Sequence, residues 1–510
     1  MSEKKKGIST FDFFAIGFGA IVGVGWAVSI NKWMANSGGP LPASIGYLIA
    51  LVMMIPVALC YCELAPMLPV AGGGMAYAYR AFNEKIAFLS GWAAFGGFVT
   101  IIPWEAIYVV DMLSGKMFPS LLGPTVYTLA GVEIHLGHLI IGTIFSCALY
   151  LINRRGVSSS AVFQRIMCIV LIGAGLLAII LSIVKFDADN LKAAVDVNGG
   201  EAGGFYGNIK EGVFHSNFMG GAIAILASAP FFLAGFETIP QAIEEASGSV
   251  KSVGKTVVLS VGLACVFYAA LLFSLGGAMP WQDFFGYSTL SGHDSFAAGH
   301  LFENVYGSGL GSVMYYILFG GALCGLLTTW NGFMIGSPYL MMGMARANLI
   351  PAGLAKLHPK HGTPINALTA CFVLSLAGPF LGMGLIDPLT LFSAAGFVLS
   401  WLITAFSLVV LRKKEPDLKR PYRIPGGAAM GIFGGLVMLV LFVLLFIPGN
   451  PVYMGTFPVG STDVPVTVLF IAWLAFGFIL YFLSAGQRNK LSAQERSASL
   501  FVNVSKANQD

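Results

Sequence analysis

FDFFAIGFGAIVGVGWAVSINKWM, residues 11–34, is apolar enough and long enough to cross a bilayer as a helix, yet it carries Gly17, Gly19, Gly23 and Gly25 through its middle. Hydrocarbon offers no water to unsatisfied amides, so a helix broken at mid-membrane is costly unless the break lines a cavity. Glycine lets the backbone unwind and lets a ligand come close to it. The alternative is that these glycines only allow tight helix packing. A second interrupted stretch, residues 218–244, bears on that choice. It contains Ala234-Gly235-Phe236-Glu237 and then Pro240.

Between and beyond these two lie further apolar segments, for about twelve in all. They run approximately over 11–34, 41–65, 86–110, 136–152, 162–184, 218–244, 255–278, 311–340, 365–385, 387–411, 427–447 and 464–484. They are numbered here 1 to 12. Segments 1 and 6 would open two five-helix halves, and breaks at matching places of two repeats point to a transporter's binding site. An unwound segment frees amide N–H groups at the start of its second half, which suit a carboxylate. It also frees carbonyl oxygens at the end of its first half, which suit an ammonium. A zwitterionic amino acid fits both.

Composition agrees with a membrane protein. Hydrophobic residues make up 56% of the 510 and charged residues 10%, against about 25% charged in soluble domains. The expected class is an all-α polytopic membrane protein. The net charge of +4 is too small to argue for nucleic acid. The seven cysteines lie in apolar stretches and are odd in number, against a disulfide framework. Cys60-Tyr61-Cys62 lacks metal or redox spacing, and the seven histidines, expected in loops, show no ligand spacing. No metal site and no cofactor are expected, apart from a coupling proton or Na+. The basic start, Met1 to Gly7, leads into an apolar run too long for a secretory leader.

Basic residues then set an orientation. With an inside N-terminus, twenty-three of the 28 Lys and Arg fall inside, six of them in the cluster Arg412, Lys413, Lys414, Lys419, Arg420 and Arg423. Only Lys32, Lys116, Lys185, Lys192 and Lys210 fall outside. A missed or extra span would destroy this asymmetry. Both termini are therefore expected in the cytoplasm of a plasma-membrane protein, with the loops near Asp294 and Pro458 outside. The long segments 185–217 and 279–310 read as outer loops. Residues 1–184 would hold the first repeat, 185–411 the second, 412–486 two additional spans, and 487–510 a polar tail, disordered or short-helical.

Six further stretches are recognisable together: I-V-G-V-G-W in segment 1; C-Y-C-E-L-A-P-M-L-P-V-A-G-G-G-M-A-Y, 60–77; F-F-L-A-G-F-E-T-I-P, 231–240; M-A-R-A-N-L-I-P, 344–351; H-P-K-H-G-T-P-I-N-A-L, 358–368; and R-K-K-E-P-D-L-K-R-P-Y-R-I-P, 412–425. In this order they resemble the amino acid–polyamine–organocation transporter superfamily over nearly the whole chain. The resemblance implies a LeuT-like fold, a five-plus-five inverted repeat with two added helices. It implies that Ile21, Gly23, Val24 and Gly25 hold a substrate's carboxylate and amine. Ala234 and Gly235 would offer carbonyls to the amine, and Phe231 would act as an aromatic lid. Val24 stands where many members have a hydroxyl, which removes one carboxylate contact. Some proton-coupled members carry a lysine on segment 5, on the face that here shows Gly173, and Ile166 to Ile183 contains none.

Intramembrane charges are costly and usually functional. Glu105 and Glu237 find no basic partner in the core spans, so a bound cation, a proton or polar backbone would serve them. The bland alternatives are a polar helix edge for Glu105 and a packing or gating carboxylate for Glu237. Glu63 would brace the end of segment 2, and Glu244 and Glu245 would be solvated or pair in a gate. Thr328 and Thr329 resemble the sodium-site wall of LeuT-like transporters, although threonine in a membrane helix also bonds its own backbone. Trp26 and Trp104 could face a cation or simply pack. The expected function is a secondary active transporter of amino acids working by alternating access, coupled to an ion or proton or working by exchange. A polyamine or organic-amine carrier is the alternative, and a membrane solute sensor or channel is the alternative of another class. No nucleophile–base pair or phosphate loop supports an enzyme.

Overall fold

The computed structural model describes residues 7–129, 132–191, 218–281, 296–382, 385–459 and 462–502. Lys4, Lys5, Lys6, Lys192, Lys210, Lys506 and Asp294, with most of the expected loop 185–217 and residues 282–295 of the other, lie outside the described residues. The helices are α1 (Thr10–Ile21), α2 (Gly25–Val28), α3 (Ile30–Ser37), α4 (Pro40–Met67), α5 (Gly74–Ala81), α6 (Glu84–Ser114), α7 (Leu136–Arg154) and α8 (Val157–Val184). After the gap come α9 (Phe218–Ala224), α10 (Ala229–Leu233), α11 (Thr238–Gln241), α12 (Val250–Ala278), α13 (Ala297–Tyr306) and α14 (Ser312–Arg346). The chain closes with α15 (Ile365–Ser375), α16 (Gly378–Leu381), α17 (Ile386–Lys414), α18 (Gly427–Leu444), α19 (Val466–Leu483), α20 (Ala485–Arg488) and α21 (Ala493–Leu500). Two antiparallel hairpins cap loops: β1 (Thr125–Leu129) with β2 (Val132–His135), and β3 (Thr456–Val459) with β4 (Thr462–Pro465).

All twelve expected segments fall on helices, but they are not twelve alike. Among the described residues ten helical stretches are long and apolar enough to span a membrane. Segments 6 and 9 are the exceptions. Segment 6 is split into short pieces around Pro230 and Gly235, and segment 9 is the shorter apolar stretch Ile365–Leu381, interrupted before Pro379. The span expected at 311–340 reaches back to Ala297 through a wide turn at Gly307–Gly311, so part of the expected outer loop is helix. Nor do the histidines keep to loops: His138 is in the first turn of α7 and His300 lies in α13.

Packing is specific. Segment 2 (α4) lies along segment 7 (α12), segment 3 (α6) along segment 10 (α17), and segment 8 (α14) along segment 5 (α8). Segment 1 packs on segments 7 and 5, and segment 6 packs on segments 2 and 10. Small residues permit this closeness, since lipid supplies no hydrophobic drive between helices. Gly254 of α12 lies against α4, where a β-carbon would stand 2.8 Å from the Cys62 carbonyl oxygen. The α18 helix packs outside, on α17 and α4.

Ion pairs gather at the ends of the bundle. At one end Glu63, fully buried, receives Arg412 at 2.9 Å, Arg420 at 3.3 Å and the Ile424 amide at 2.9 Å. At the same end Glu244 takes Arg346 at 2.6 Å and the Ala71 amide at 2.9 Å, and the Glu245 side chain accepts the Tyr339 hydroxyl. The first described residues join there, through Ile8 to the Glu245 carbonyl, and so does the C-terminal α21, through Arg496 to Glu84 at 3.0 Å. At the other end Lys32 pairs with Asp387 at 3.5 Å, and Lys116 pairs with Glu303.

Candidate substrate site

Helix α1 stops at Ile21. Val22 leaves helical geometry (φ −87°, ψ 80°), and α2 starts only at Gly25. Among the described residues, the amides of Val24, Gly25 and Trp26 donate to no backbone carbonyl. Helix α10 stops at Leu233. Ala234 is extended (ψ 150°), Gly235 takes φ +132°, and helix resumes at Thr238. That φ is one only glycine adopts at little cost. A β-carbon on Gly235 would stand 2.6 Å from the Ala20 carbonyl carbon and 2.7 Å from the Ile21 nitrogen. The two breaks therefore touch, backbone to backbone.

Two hydroxyls tie the breaks to neighbouring helices. Tyr268 of α12 donates to the Ile21 carbonyl at 2.8 Å and stands 3.3 Å from the Phe232 carbonyl. Thr329 of α14 donates to the Gly19 carbonyl at 3.2 Å. Beside them lies a small cavity. Of the expected residues, Ile21, Gly23, Val24, Gly25, Trp104, Glu105, Phe231 and Thr329 line it. Ala20, Ile101, Phe232, Tyr268 and Phe333 complete the wall, and the sequence reading had not singled these out. Aromatic rings thus form much of the surface. The Phe231 ring sits 5.4 Å from that of Trp104, whose indole donates to Thr390 Oγ1 at 3.2 Å.

Glu105 is the charged group in this wall. It is 2% exposed, and its Oε2 has no hydrogen-bond partner among the described residues. Its Oε1 lies 3.6 Å from where a β-carbon on Gly23 would stand, and that same β-carbon would collide with the Thr329 hydroxyl. Gly23 is therefore the point at which segment 1, segment 3 and segment 8 meet the cavity.

Ala234, Gly235, Glu237 and Thr328 do not line the cavity. Glu237 was expected to be served by a cation, a proton or polar backbone, or to be a packing or gating carboxylate, and it is hydrogen-bonded within the protein. Its Oε2 accepts the Gly235 amide at 2.8 Å and its Oε1 accepts the indole N–H of Trp401 on α17. It pins the segment 6 break to segment 10. Thr328 donates to the Gly325 carbonyl of its own helix at 2.8 Å. Trp26 is fully buried but stands outside the cavity wall.

The placement of Gly173 is corrected. It faces away from the bundle, and a β-carbon there would meet nothing within 4 Å. The segment 5 residue that reaches segments 1 and 8 is Gln164. Its Nε2 donates to the Thr328 carbonyl at 2.9 Å and the Ala15 carbonyl at 3.3 Å. Its Oε1 accepts Asn331 at 2.8 Å, and Asn331 in turn accepts Asn153 and Ser160, each at 2.8 Å. This neutral network is fully buried at the junction of segments 4, 5 and 8.

Residues 8–476 match the amino acid permease family. The chain belongs to that family. It is a family of transporters within the amino acid–polyamine–organocation superfamily, so this protein is a multi-pass membrane transporter and not an enzyme. Similar proteins include a branched-chain amino acid permease, BcaP, of Bacillus subtilis (strain 168), 25% identical over 498 residues, covering 96% of this chain and 95% of the relative. A methylthioribose transporter of the same organism is 25% identical over 497 residues, 95% of this chain and 94% of its own length. A vacuolar cationic amino acid transporter 4 of Arabidopsis thaliana is 25% identical over 433 residues, 81% of this chain and 64% of the relative. This permease thus has relatives named for neutral, cationic and sugar-derived solutes.

Proposed function

We propose that this permease is a secondary active carrier of amino acids, working by alternating access around the cavity between the two breaks. The observation that carries this is Glu105, a buried carboxylate whose Oε2 has no hydrogen-bond partner among the described residues, beside Gly23 and the segment 1 amides that donate to no backbone carbonyl there. An uncompensated buried charge costs several kcal/mol, so Glu105 needs an ammonium, a proton or a cation. The amides of Val24, Gly25 and Trp26 suit a carboxylate. Both ends of an α-amino acid are provided for, and the aromatic wall suits an apolar or cationic side chain.

The packing pattern supports a five-plus-five repeat. If segment n corresponds to segment n+5, the pair of segments 3 and 10 maps onto 8 and 5, and the pair 2 and 7 maps onto itself. Segment 1 on 7 and 5 maps onto segment 6 on 2 and 10. Each of these contacts is present. On this reading the fold is LeuT-like, with residues 1–184 and 185–411 as the repeats and twelve crossings. The basic end, with both described chain ends, faces the cytoplasm of a plasma-membrane protein. A cysteine placed at Pro458 should then react with an impermeant reagent from outside intact cells, and one at Lys414 should not.

A ligand-stabilisation screen of amino acids, polyamines and other amines on the purified protein tests the substrate class. Counterflow in proteoliposomes then separates a carrier from a channel or sensor, because only a carrier exchanges labelled for unlabelled solute. Stabilisation by amines that lack a carboxylate, and by no amino acid, would favour the polyamine reading and overturn the amino acid one.

A further inference from the structure

Tyr268 stands where both breaks present carbonyl oxygens to one side chain. The Ile21 carbonyl closes α1, where the helix end carries partial negative charge. The Phe232 carbonyl lies in the last turn before the segment 6 break. The Tyr268 hydroxyl donates to the first at 2.8 Å and stands 3.3 Å from the second. A hydroxyl owns a single proton, so it cannot fully satisfy two carbonyls at once. An ammonium has three N–H donors and a full charge, and charge-assisted hydrogen bonds are about twice as strong as neutral ones.

The Tyr268 ring is clamped and fully buried, with the Trp33 ring at 5.2 Å and the Tyr47 ring at 5.0 Å. Its hydroxyl is therefore held at the cavity wall and not free to swing into solvent. Ile21, Phe232 and Tyr268 all line the cavity that also holds Glu105.

We propose that the Tyr268 hydroxyl holds the place of the substrate ammonium in the empty cavity. It keeps the two broken segments joined when no substrate is present, and it yields their carbonyls only to a group with several N–H donors. Tyr268 is thus a positioning residue that sets selectivity for a primary ammonium and the return rate of the empty carrier. This rests on the reading of the cavity as the substrate site.

The test is Tyr268→Phe in proteoliposomes, probed with leucine or arginine, whichever stabilises the parent protein, and with its N,N,N-trimethyl analogue. Removing the hydroxyl leaves the carbonyls waiting. Binding of the primary ammonium should tighten about three- to tenfold, the worth of one net hydrogen bond. Binding of the trimethyl analogue should not change. Counterflow should persist while net uptake slows, because only net uptake needs the empty protein to reorient. Tyr47→Phe, which removes a neighbouring hydroxyl that has no hydrogen-bond partner among the described residues, should leave all four readings as in the parent. Equal shifts for both ligands, weaker binding of the primary ammonium, or counterflow falling together with net uptake would overturn the proposal. So would a parent protein that binds the trimethyl analogue as tightly as the amino acid, an arm that does not depend on any variant folding. A parent stabilised by no amino acid would instead remove the underlying reading of the cavity, and this proposal with it; where another amino acid stabilises it, that amino acid and its trimethyl analogue take the same test.

Discussion

Glu237 accepts the indole N–H of Trp401, with both side chains shut away from solvent, 164 residues apart in sequence. The second oxygen of the same carboxylate accepts the Gly235 amide. Both contacts need an acceptor. Glutamine keeps the shape but offers one acceptor and one donor, so Glu237→Gln must point an NH2 at an N–H. A buried donor facing a donor costs about 1–3 kcal/mol. Thermal stability of Glu237→Gln should fall accordingly. Trp401→Phe removes one of the two donors and should recover part of that loss in the double variant. A strictly additive double-mutant cycle would show that the contact carries no stability.

The breaks themselves were legible in sequence, because Gly23, Gly25, Gly235 and Pro240 are residues that a continuous membrane helix disfavours. Most of the cavity's segment 1 wall, Ile21, Gly23, Val24 and Gly25, was implied by the family resemblance. What was not legible depends on distance along the chain. Trp401 is one of eight tryptophans and Tyr268 one of 17 tyrosines, and nothing local marks either as reaching a break. On segment 5 the error was one of helical face. Gly173 is nine residues from Gln164 and points to the outside, while Gln164 points inward. A helix turns about 100° per residue, so without a partner to fix the register the two could not be told apart. For Glu237 a backbone partner was among the readings, but the Trp401 indole, 164 residues along the chain, was marked by nothing local.

Lys32 and Asp387 join the extension of segment 1 to the start of segment 10. Their side chains are 21% and 31% exposed, so the pair belongs with surface ion pairs worth about 0–1 kcal/mol. Asp387→Asn should therefore shift the equilibrium toward opening at this end by no more than about fivefold. The rate at which an impermeant thiol reagent reaches a cysteine at Val24 would report it. Charge reversal of both residues together should restore the parent rate, and a rate unmoved by either change would remove the pair from the closure.

The C-terminal tail is docked over its described residues, up to 502. Glu84, at the start of α6, receives Arg496 at 3.0 Å and Arg488 at 3.8 Å, and the Gln487 side chain accepts the Ala352 amide. Leu500 is fully buried at the end of α21. Glu84→Ala removes the shared partner of two arginines. Trypsin should then cut at Lys490 several times faster in membranes opened to that side, with the rest of the chain unchanged. Equal cutting rates would mean that Leu500 and its neighbours hold the tail without the ion pairs.

The junction of segments 1 and 8 bears on sodium dependence. A cation between segments 1 and 8 would need oxygen ligands with free lone pairs facing one another. Here several of the oxygens near the junction already take part in hydrogen bonds. The Gln164 amide bonds the Ala15 and Thr328 carbonyls, the Thr329 hydroxyl bonds the Gly19 carbonyl, and the Thr328 hydroxyl is turned to Gly325. We infer that a neutral amide attached to segment 5 does there what a bound cation would do. Transport into proteoliposomes should thus be unchanged when Na+ is replaced by choline at constant ionic strength. Gln164→Glu should reverse this. It places a carboxylate among carbonyl oxygens, an all-oxygen set with uncompensated charge, which a hard monovalent cation would relieve. Activity of that variant should depend on Na+, and Gln164→Ala should lose activity in either salt. Strong Na+ dependence of the parent protein, or a Gln164→Glu variant indifferent to Na+, would show that the amide does not stand in for a cation.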